Sequence, residues 1–443
     1  MSSLSQNRVG PDGVASTPTT YEVVGITLEA NNVKNDSNTP YLYDITNMVA
    51  YFSVIESLES PGLEIILSVG DTLNIMEKLK LSGNEQIQIK VKRKEPSKVT
   101  KQFTIATRIA EIFNYKRLKP GLSTYNIRCV TEHMYINNLK LLKTPFNGTP
   151  LEVIKYISKS ILDVKVESSE GSKNIIKGIF PNVRPLQGIQ WLLRQCFDQS
   201  TPFFYYQTLN NNAQIHCKSY KALLEADTYD TYTYSPFIDT DIALETEEGY
   251  EYERTNIRDI TSDYHQGKFL SAYNGAYGAT LHTIDVSEKK YSKNVYAYKG
   301  SNLRLNQHIP FSVSERAKVQ DAIFSSYSES KSYFISLNSK AFNESQNYMS
   351  PSPADLPKAM AYLENLNYQK HTIQIAGDFD MSVGKKIKVE IRKAQEDAEG
   401  SGIDKLQSGV YLVTQIEHIF DKGFYQYLTI QKDSSEVDLD ATK

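Results

Sequence analysis

The sequence predicts a mainly β protein of the α+β class: two similar β-barrel modules with helical and irregular inserted segments. Three observations carry this. Short alternating or dense apolar runs, bounded by Gly, Pro and Asn, dominate both ends of the 443-residue chain. Tyrosine is abundant, 30 residues against one Trp, and it favours pleated, half-buried surfaces. The two ends also resemble each other. At one constant offset Thr107, Ile109, Ile112 and Phe113 meet Thr414, Ile416, Ile419 and Phe420, and the same offset carries Gly70-Asp71 onto Gly377-Asp378. Two copies of one strand-rich unit explain this most simply, although short strands also resemble one another for generic reasons. A chain with two similar barrels, arranged as a trimer, presents six similar faces to a six-fold neighbour.

Residues 1–20 read as a flexible arm. The first barrel is expected over 21–143. Gln86–Lys92 alternates and places Ile87, Ile89 and Val91 on one face, while Met48–Ile55 and Glu64–Val69 are denser runs nearer the core. Phe103–Phe113, a Lys119-Pro120-Gly121 turn and Thr124–Glu132 form a hairpin. The period then changes. Over 144–201 a helical connecting domain is expected, opening with Thr149 as N-cap, Pro150 at the first helical position and Glu152 completing a capping box. A second helix, Leu186–Gln199, puts Ile189, Leu192, Leu193, Cys196 and Phe197 on one stripe. Residues 202–252 resume strands as the first part of a second barrel. Residues 253–369 form an inserted, weakly periodic excursion ending in a helix at Leu356–Leu366, and 370–434 complete the second barrel. An acidic tail occupies 435–443.

The near-neutral net charge of −3 hides two blocks. Lys78–Lys119 holds twelve Lys/Arg against three Glu, a net of +9, and Glu225–Asp263 holds twelve Asp/Glu against two Arg, a net of −10. Such blocks steer partners or repel like-charged material, and a solvated face is the ordinary alternative. Basic residues do not interleave with aromatics in a nucleic-acid motif. Cys129, Cys196 and Cys217 are an odd set without metal spacing, and no signal pattern or apolar run of ~18 residues is present.

No catalytic constellation is found: no His-Glu-x-x-His, no phosphate loop ending Gly-Lys-Ser/Thr, no Gly-x-Ser-x-Gly. Gly275-Ala-Tyr-Gly278 is too short for a nucleotide loop. Cys196 reads as a buried apolar residue rather than a nucleophile. Glu132-His133 and Glu417-His418 are neighbours in strands, where adjacent side chains point to opposite faces and cannot cooperate. Asp378-Phe-Asp380 and Asp239-Thr-Asp241 could pair carboxylates, but a solvated rim or loop accounts for both, and further metal ligands are missing. Asn147-Gly148-Thr149 matches a glycosylation acceptor, without a secretion signal to give it meaning. Catalytic, cofactor-binding and metal sites are all expected to be absent.

Several segments together resemble a known family: Gly83–Ile89 closing a first barrel, Thr131–Leu139 leading into Pro145-Phe146 and a helix, Pro236–Ile242, Ala376–Gly384, and Val410–His418 before a final aromatic strand. In order and over most of the chain they resemble the central baseplate hub proteins of contractile-tailed bacteriophages of the T-even myovirus type. The resemblance implies two tube β-barrel domains per subunit and a homotrimer whose pseudo-six-fold ring continues the tail tube and seats a trimeric central spike. Baseplate wedge proteins and a tube or tube-initiator protein are the implied neighbours. Viral DNA passes through the lumen without specific binding. The location is the virion tail, assembled in the host cytoplasm, with no enzymatic activity, no cofactor and no membrane-spanning segment. The acidic block is expected to face the channel or spike, and the basic block neighbouring subunits. The alternatives are a tail-associated peptidoglycan hydrolase, and another viral tail structural or receptor-binding protein.

Overall fold

A computed structural model of the chain describes residues 17–34, 40–97, 99–171, 173–235, 247–263, 268–298, 302–308, 318–319, 322–340, 355–393 and 402–437. The first part runs β1 (Glu22–Lys34), β2 (Pro40–Asp44), β3 (Val49–Ser57), β4 (Glu64–Asp71), a short α1 (Ile75–Lys78), β5 (Gln86–Lys94), β6 (Thr100–Lys119) and β7 (Leu122–Thr131). A helical part follows: α2 (Glu132–Leu139), β8 (Pro145–Gly148), α3 (Pro150–Ser160), β9 (Lys165–Ser168), β10 (Ile176–Ile179), α4 (Pro185–Leu193), β11 (Phe203–Gln207), β12 (Gln214–Ser219) and α5 (Tyr220–Glu225). Next come β13 (Thr228–Tyr234), α6 (Glu247–Thr255) and β14 (Asp259–Asp263). The insertion carries α7 (Lys268–Tyr273), β15 (Gly278–Asp285), β16 (Lys290–Ala297), β17 (Lys318–Val319), β18 (Ala322–Ile323), β19 (Ser332–Leu337) and α8 (Asp355–Leu366). The chain closes with β20 (Gln369–Ala376), β21 (Lys386–Ile391), β22 (Gly409–Phe420) and β23 (Phe424–Lys432).

Thirteen strands form one sheet rather than two closed barrels. Its first half has the order β3-β4-β7-β6-β5-β1-β2, and its second β14-β20-β23-β22-β21-β13. Five consecutive positions therefore match in both halves. One cross-strand row in each half makes the match residue by residue. Ile109 faces Cys129, which faces Ile65, which faces Val54. In the second half Ile416 faces Leu428, which faces Ile373, which faces Ile260. The match ends at the outer strands, because β1 lies antiparallel to β5 whereas β13 lies parallel to β21.

The expected closure fails because β22 is long enough to serve two strands on one edge. Gly409–Leu412 pair with β21, and Gln415–Phe420 pair with β3. A bulge between Val413 and Gln415 marks the changeover, and it leaves Thr414, counterpart of the buried Thr107 in the sequence repeat, half-buried. The β3 edge that a closing strand would occupy is thus taken by the other half. Among the described residues no ladder closes either half; in the second, a single parallel bridge, Thr233 to Asn256, spans the gap between β13 and the approach to β14.

Alternation in β5 does place Ile87, Ile89 and Val91 in the first core, all at 0% exposure. That core also takes Phe379, Phe420 and Phe424 from the second half, with Phe420 stacked 4.6 Å from Phe52 and 4.4 Å from Phe424. A second core lies under β20–β23, and a third joins α3, α4, β11 and β12. In α3 the Thr149 hydroxyl accepts from Glu152 N–H and the Glu152 carboxylate accepts from Thr149 N–H, the predicted capping box.

Several expectations are corrected. The hairpin β11–β12, expected in the second barrel, pairs with β9 in a separate three-stranded sheet, because its apolar face covers α3 and α4. Helix α4 stops at Leu193, where the chain tightens into three-residue turns ahead of left-handed Gln199 and Ser200. Glu132 and His133 begin helix α2 instead of sitting in a strand. The insertion has a small sheet of its own, β16-β15-β19. At the N-terminus, residues 17–20 are packed rather than loose, with Thr20 buried and the Thr19 carbonyl accepting from Phe424 N–H. At the other end, the chain up to Ser435 is not a tail. Asp433, Ser434 and Ser435 are buried, Asp433 accepts from Tyr220 hydroxyl at 2.8 Å, and Ser435 bridges to His308. The pair Asp239 and Asp241 lies outside the described residues.

Candidate assembly interface

The residues that hold the two halves together sit on β3, β22 and β23, with one contact from the β11–β12 loop. Glu56, on β3, points to the inward face at 0% exposure, and His418, on β22, does the same from the opposite half. Their side chains meet at 2.8 Å, Glu56 Oε1 to His418 Nε2. The hydrogen-bond roles are forced. Asp378 N–H can only donate, so the Gln426 atom it meets at 3.0 Å is the amide oxygen. Gln426 Nε2 then donates to the Asp378 carbonyl at 2.7 Å and to His418 Nδ1 at 2.9 Å. His418 Nδ1 is therefore an acceptor, and Nε2 carries the proton that it donates to Glu56. Glu56 Oε2 accepts from Leu209 N–H at 3.1 Å, which ties the helical part to the same joint. Glu417 and His418 point to opposite faces of β22, as the strand period requires, and the partner of His418 lies 362 residues away.

A second tie comes from the basic block. Arg93, at the end of β5, is 3% exposed, so this member of the block is no solvated charge. Its Nη1 donates to the carbonyls of Pro18 and Gly377, both at 2.6 Å, and its guanidinium lies 4.8 Å from the Phe379 ring centre. Its Nη2 meets Glu95 at 2.8 Å, and a chain of ion pairs continues through Lys101 to Asp380. Burial opposes the charge on Lys101, but the hydrogen bonds it donates to Asp380 and Glu95 outweigh it and hold its ammonium above the usual lysine range.

The repeated Gly-Asp pair has a physical explanation. Asp71 and Asp378 are both buried, at 2% and 3% exposure, and each carboxylate accepts from a backbone N–H two residues on, Leu73 at 3.1 Å and Asp380 at 2.9 Å. Each also accepts from a tyrosine hydroxyl, Tyr125 at 3.2 Å and Tyr229 at 2.6 Å. Burial first, then the adjacent carboxylate, pushes both phenols well above the usual tyrosine range. Asp378 is thus a turn-former inside the joint, not part of a solvated rim, and only Asp380 is half-exposed.

The remaining candidates stay apart. Glu132 pairs with Arg108 on the surface, while His133 is buried against the Pro61 carbonyl and burial lowers its pKa. Cys196 is fully buried, as are Cys129 and Cys217, and burial pushes the Cys129 thiol up to about 12. Gly275 takes a positive φ of 90° at the end of α7, where it shapes a turn. Among the described residues no three His, Cys, Asp or Glu side chains are grouped to hold a metal ion. A cleft of about 790 Å³ runs between α5–β13 and the 380–385 turn, with Asp227, His216, Lys218 and Lys385 on its walls. Lys385 is already committed there, donating to the Asp380 carbonyl at 2.6 Å and lying 3.7 Å from the Tyr229 ring centre.

Among the described residues several strand edges are open, that of β2 at one end of the sheet and that of β13 among them. β6 runs beyond β5, which stops pairing at Arg108, and from Ala110 to Gly121 the β6–β7 arm is mostly exposed, with Leu118 at 59%. β14 ends the sheet at its other extreme. No helix among the described residues is long and apolar enough to cross a membrane.

No family model matches the chain, and no curated protein matches it by sequence. Solved structures do. The chain is similar to the tail protein from Neisseria meningitidis MC58, with a TM-score of 0.53 at 11% identity, covering 93% of this chain and 97% of that one. It is also similar to the 43 kDa tail protein of prophage MuSo2 from Shewanella oneidensis, with a TM-score of 0.50 at 10% identity, covering 92% and 97%. The fold of this chain, over nearly its whole length, is that of phage tail proteins.

Proposed function

We propose that the chain is a structural hub subunit of a phage tail baseplate, working as a homotrimer whose pseudo-six-fold ring joins the tail tube to a trimeric central spike and lets DNA pass. The observation that carries this reading is the double occurrence of one strand order within a single chain of tail-protein fold. Three copies then offer six equivalent half-sheets, which is what a three-fold to six-fold junction requires. We assign 21–143 to a first tube domain, 144–201 to a connecting domain, 202–252 with 370–434 to a second tube domain, and 253–369 to an outer or spike-facing insertion. Within that division, the pairing of β12 with β9 supports grouping the β11–β12 hairpin with the connecting domain instead.

The role is mechanical, with no catalytic residues and no cofactor, and its place is the virion tail after assembly in the host cytoplasm. Spike, tube and wedge proteins are the partners. An interface that survives contraction is obligate and on the order of 2,000 Å² or more. Native mass spectrometry of the purified chain tests the reading. A trimer that binds a trimeric spike protein is expected; a monomer indifferent to spike and tube proteins would sink it. Cell-wall clearing by the isolated chain in a zymogram would favour the hydrolase instead.

A further inference from the structure

We propose that the bare face of the small sheet in the insertion is a membrane-contact surface that lies on an anionic lipid bilayer. The inference concerns the insertion alone and does not depend on the trimeric reading above.

Strand alternation divides this sheet into two unlike faces. Ala279 and Tyr296 lie opposite each other on β15 and β16 and are buried with Ala361 of α8. A second face that met only water would be polar. It is apolar instead: Ile284, Tyr291, Val295 and Phe334 lie on it, each between 52% and 74% exposed. Exposed apolar residues grouped in this way mark an interaction surface.

Charge says what kind of partner the face meets. Lys293 sits opposite His282 on the same face, and exposed Lys289 and Lys290 lie where the turn enters β16. Among the described residues no acid pairs with any of the three lysines. The acids of the same turn are engaged within it. Asp285 accepts from the N–H groups of Ser287 and Glu288 at 3.0 and 3.1 Å, and Glu288 pairs with Lys340. The face thus offers apolar side chains and uncompensated cations, which calls for an anionic partner.

The details separate the anionic partners from one another. Single-stranded nucleic acid stacks its bases on open ring faces. Here His282, on the central strand, has Phe334 stacked on one side at 4.7 Å and Tyr291 on the other at 6.0 Å, and its Nδ1 bonds to the Tyr291 hydroxyl. The row therefore turns ring edges outward. Protein interfaces favour the aromatics but are depleted of lysine. At a lipid surface both are favoured: tyrosine sits at headgroup level, and lysine lays its alkyl stem along apolar surface while its ammonium meets phosphate. Helix α7, in the same insertion, adds exposed Phe269, Leu270 and Tyr273. Contact of this kind is peripheral, combining a shallow apolar face with attraction to charged headgroups.

The test is flotation of the full-length chain with vesicles of phosphatidylcholine alone or mixed with phosphatidylglycerol. Binding to the anionic vesicles is expected, and it should be at least about tenfold weaker on neutral ones, since each lysine near an anionic surface strengthens attachment about fivefold. Tyr291→Ser with Phe334→Ser, and separately Lys290→Glu with Lys293→Glu, should each weaken flotation by at least about tenfold while circular dichroism stays unchanged. The charge variant decides alone if the serine pair disturbs the fold. Lys116→Glu with Arg117→Glu, on the β6–β7 arm, should float like the wild type. An equal loss in that arm variant would mean general electrostatic attraction and overturn the proposal, as would no flotation with either vesicle. Capture on immobilised polyglutamate without flotation would assign the face to an acidic protein and overturn it too.

Discussion

The two half-sheets share a strand order but differ in how completely each is finished. The first is continuous in sequence from β1 to β7, and it leaves an arm projecting past its last ladder. The second is split, with β13 and β14 separated from β20–β23 by the whole insertion, yet its long strand is paired to the end by β3. The repeat therefore conserves the inner ladder, which is held by direct cross-strand burial. It varies the edges, where neighbouring parts of the chain decide what is covered. The first core takes Phe420 and Phe424 from the second half, so the first half does not fill its core with its own side chains alone.

Breaking the joint is the strongest way to test that comparison. His418→Leu leaves Glu56 buried with one oxygen unpartnered, and the expected loss is about 3–5 kcal/mol in denaturant unfolding. Replacing both residues with apolar ones should recover much of it, since a buried carboxylate is costly only when deserted. A single variant within about 1 kcal/mol of the wild type would mean that the halves are held elsewhere.

A smaller effect separates the halves by pH. Two residues before Ile65 the first half has Leu63, and two before Ile373 the second has His371, so only the second half titrates at this position. Burial, and then nearby Lys432, lower the His371 pKa to about 4, while its ring nitrogens contact Ser262 and Tyr411 hydroxyls at 2.8 and 2.9 Å. The folded value lies below the unfolded one of ~6.5. Its stabilising contribution is therefore full above pH ~6.5 and is lost as pH falls through 4, by up to about 3 kcal/mol. His371→Leu should flatten that part of the stability profile; an unchanged acid slope would show the histidine to be already satisfied when charged.

The smallest expected effect lies outside both halves. Thr149→Ala removes one side of the capping box and should cost about 1 kcal/mol, read as a lower Tm, with no change in any β signal. A loss of several kcal/mol would show that α3 also supports the joint through the β11–β12 hairpin.

Where the sequence was legible, the signal was local. The alternation of β5, the hairpin of β6 and β7, the capping box at Thr149 and the apolar stripe of α4 each depend on residues within a few positions of one another. Periodicity is itself a consequence of backbone geometry, so it survives in the sequence. The repeat was legible for the same reason, since Ile109 and Ile416 must both be buried at the centre of equivalent ladders. The corrections came from partners far away. Arg93 reads as one more cation in a basic run, and only the carbonyls of Pro18 and Gly377 turn it into a buried tie. Ser435 reads as the start of an acidic tail, but it is buried and bridges to His308, beside an Asp433 that Tyr220 and the Leu305 N–H hold in the interior, where burial raises its pKa.

By itself the sequence determined the strand-rich class, the helical interlude and the existence of two related β units, because these follow from patterns that neighbouring residues impose on one another. Only the tertiary structure decided that the units fuse into one sheet, that Glu56 and His418 meet at the joint, and that the β6 and β14 edges stay open. The reason is physical. Which strand lies beside which, and in what register, is chosen by the burial of side chains hundreds of residues apart, and no local period encodes that choice.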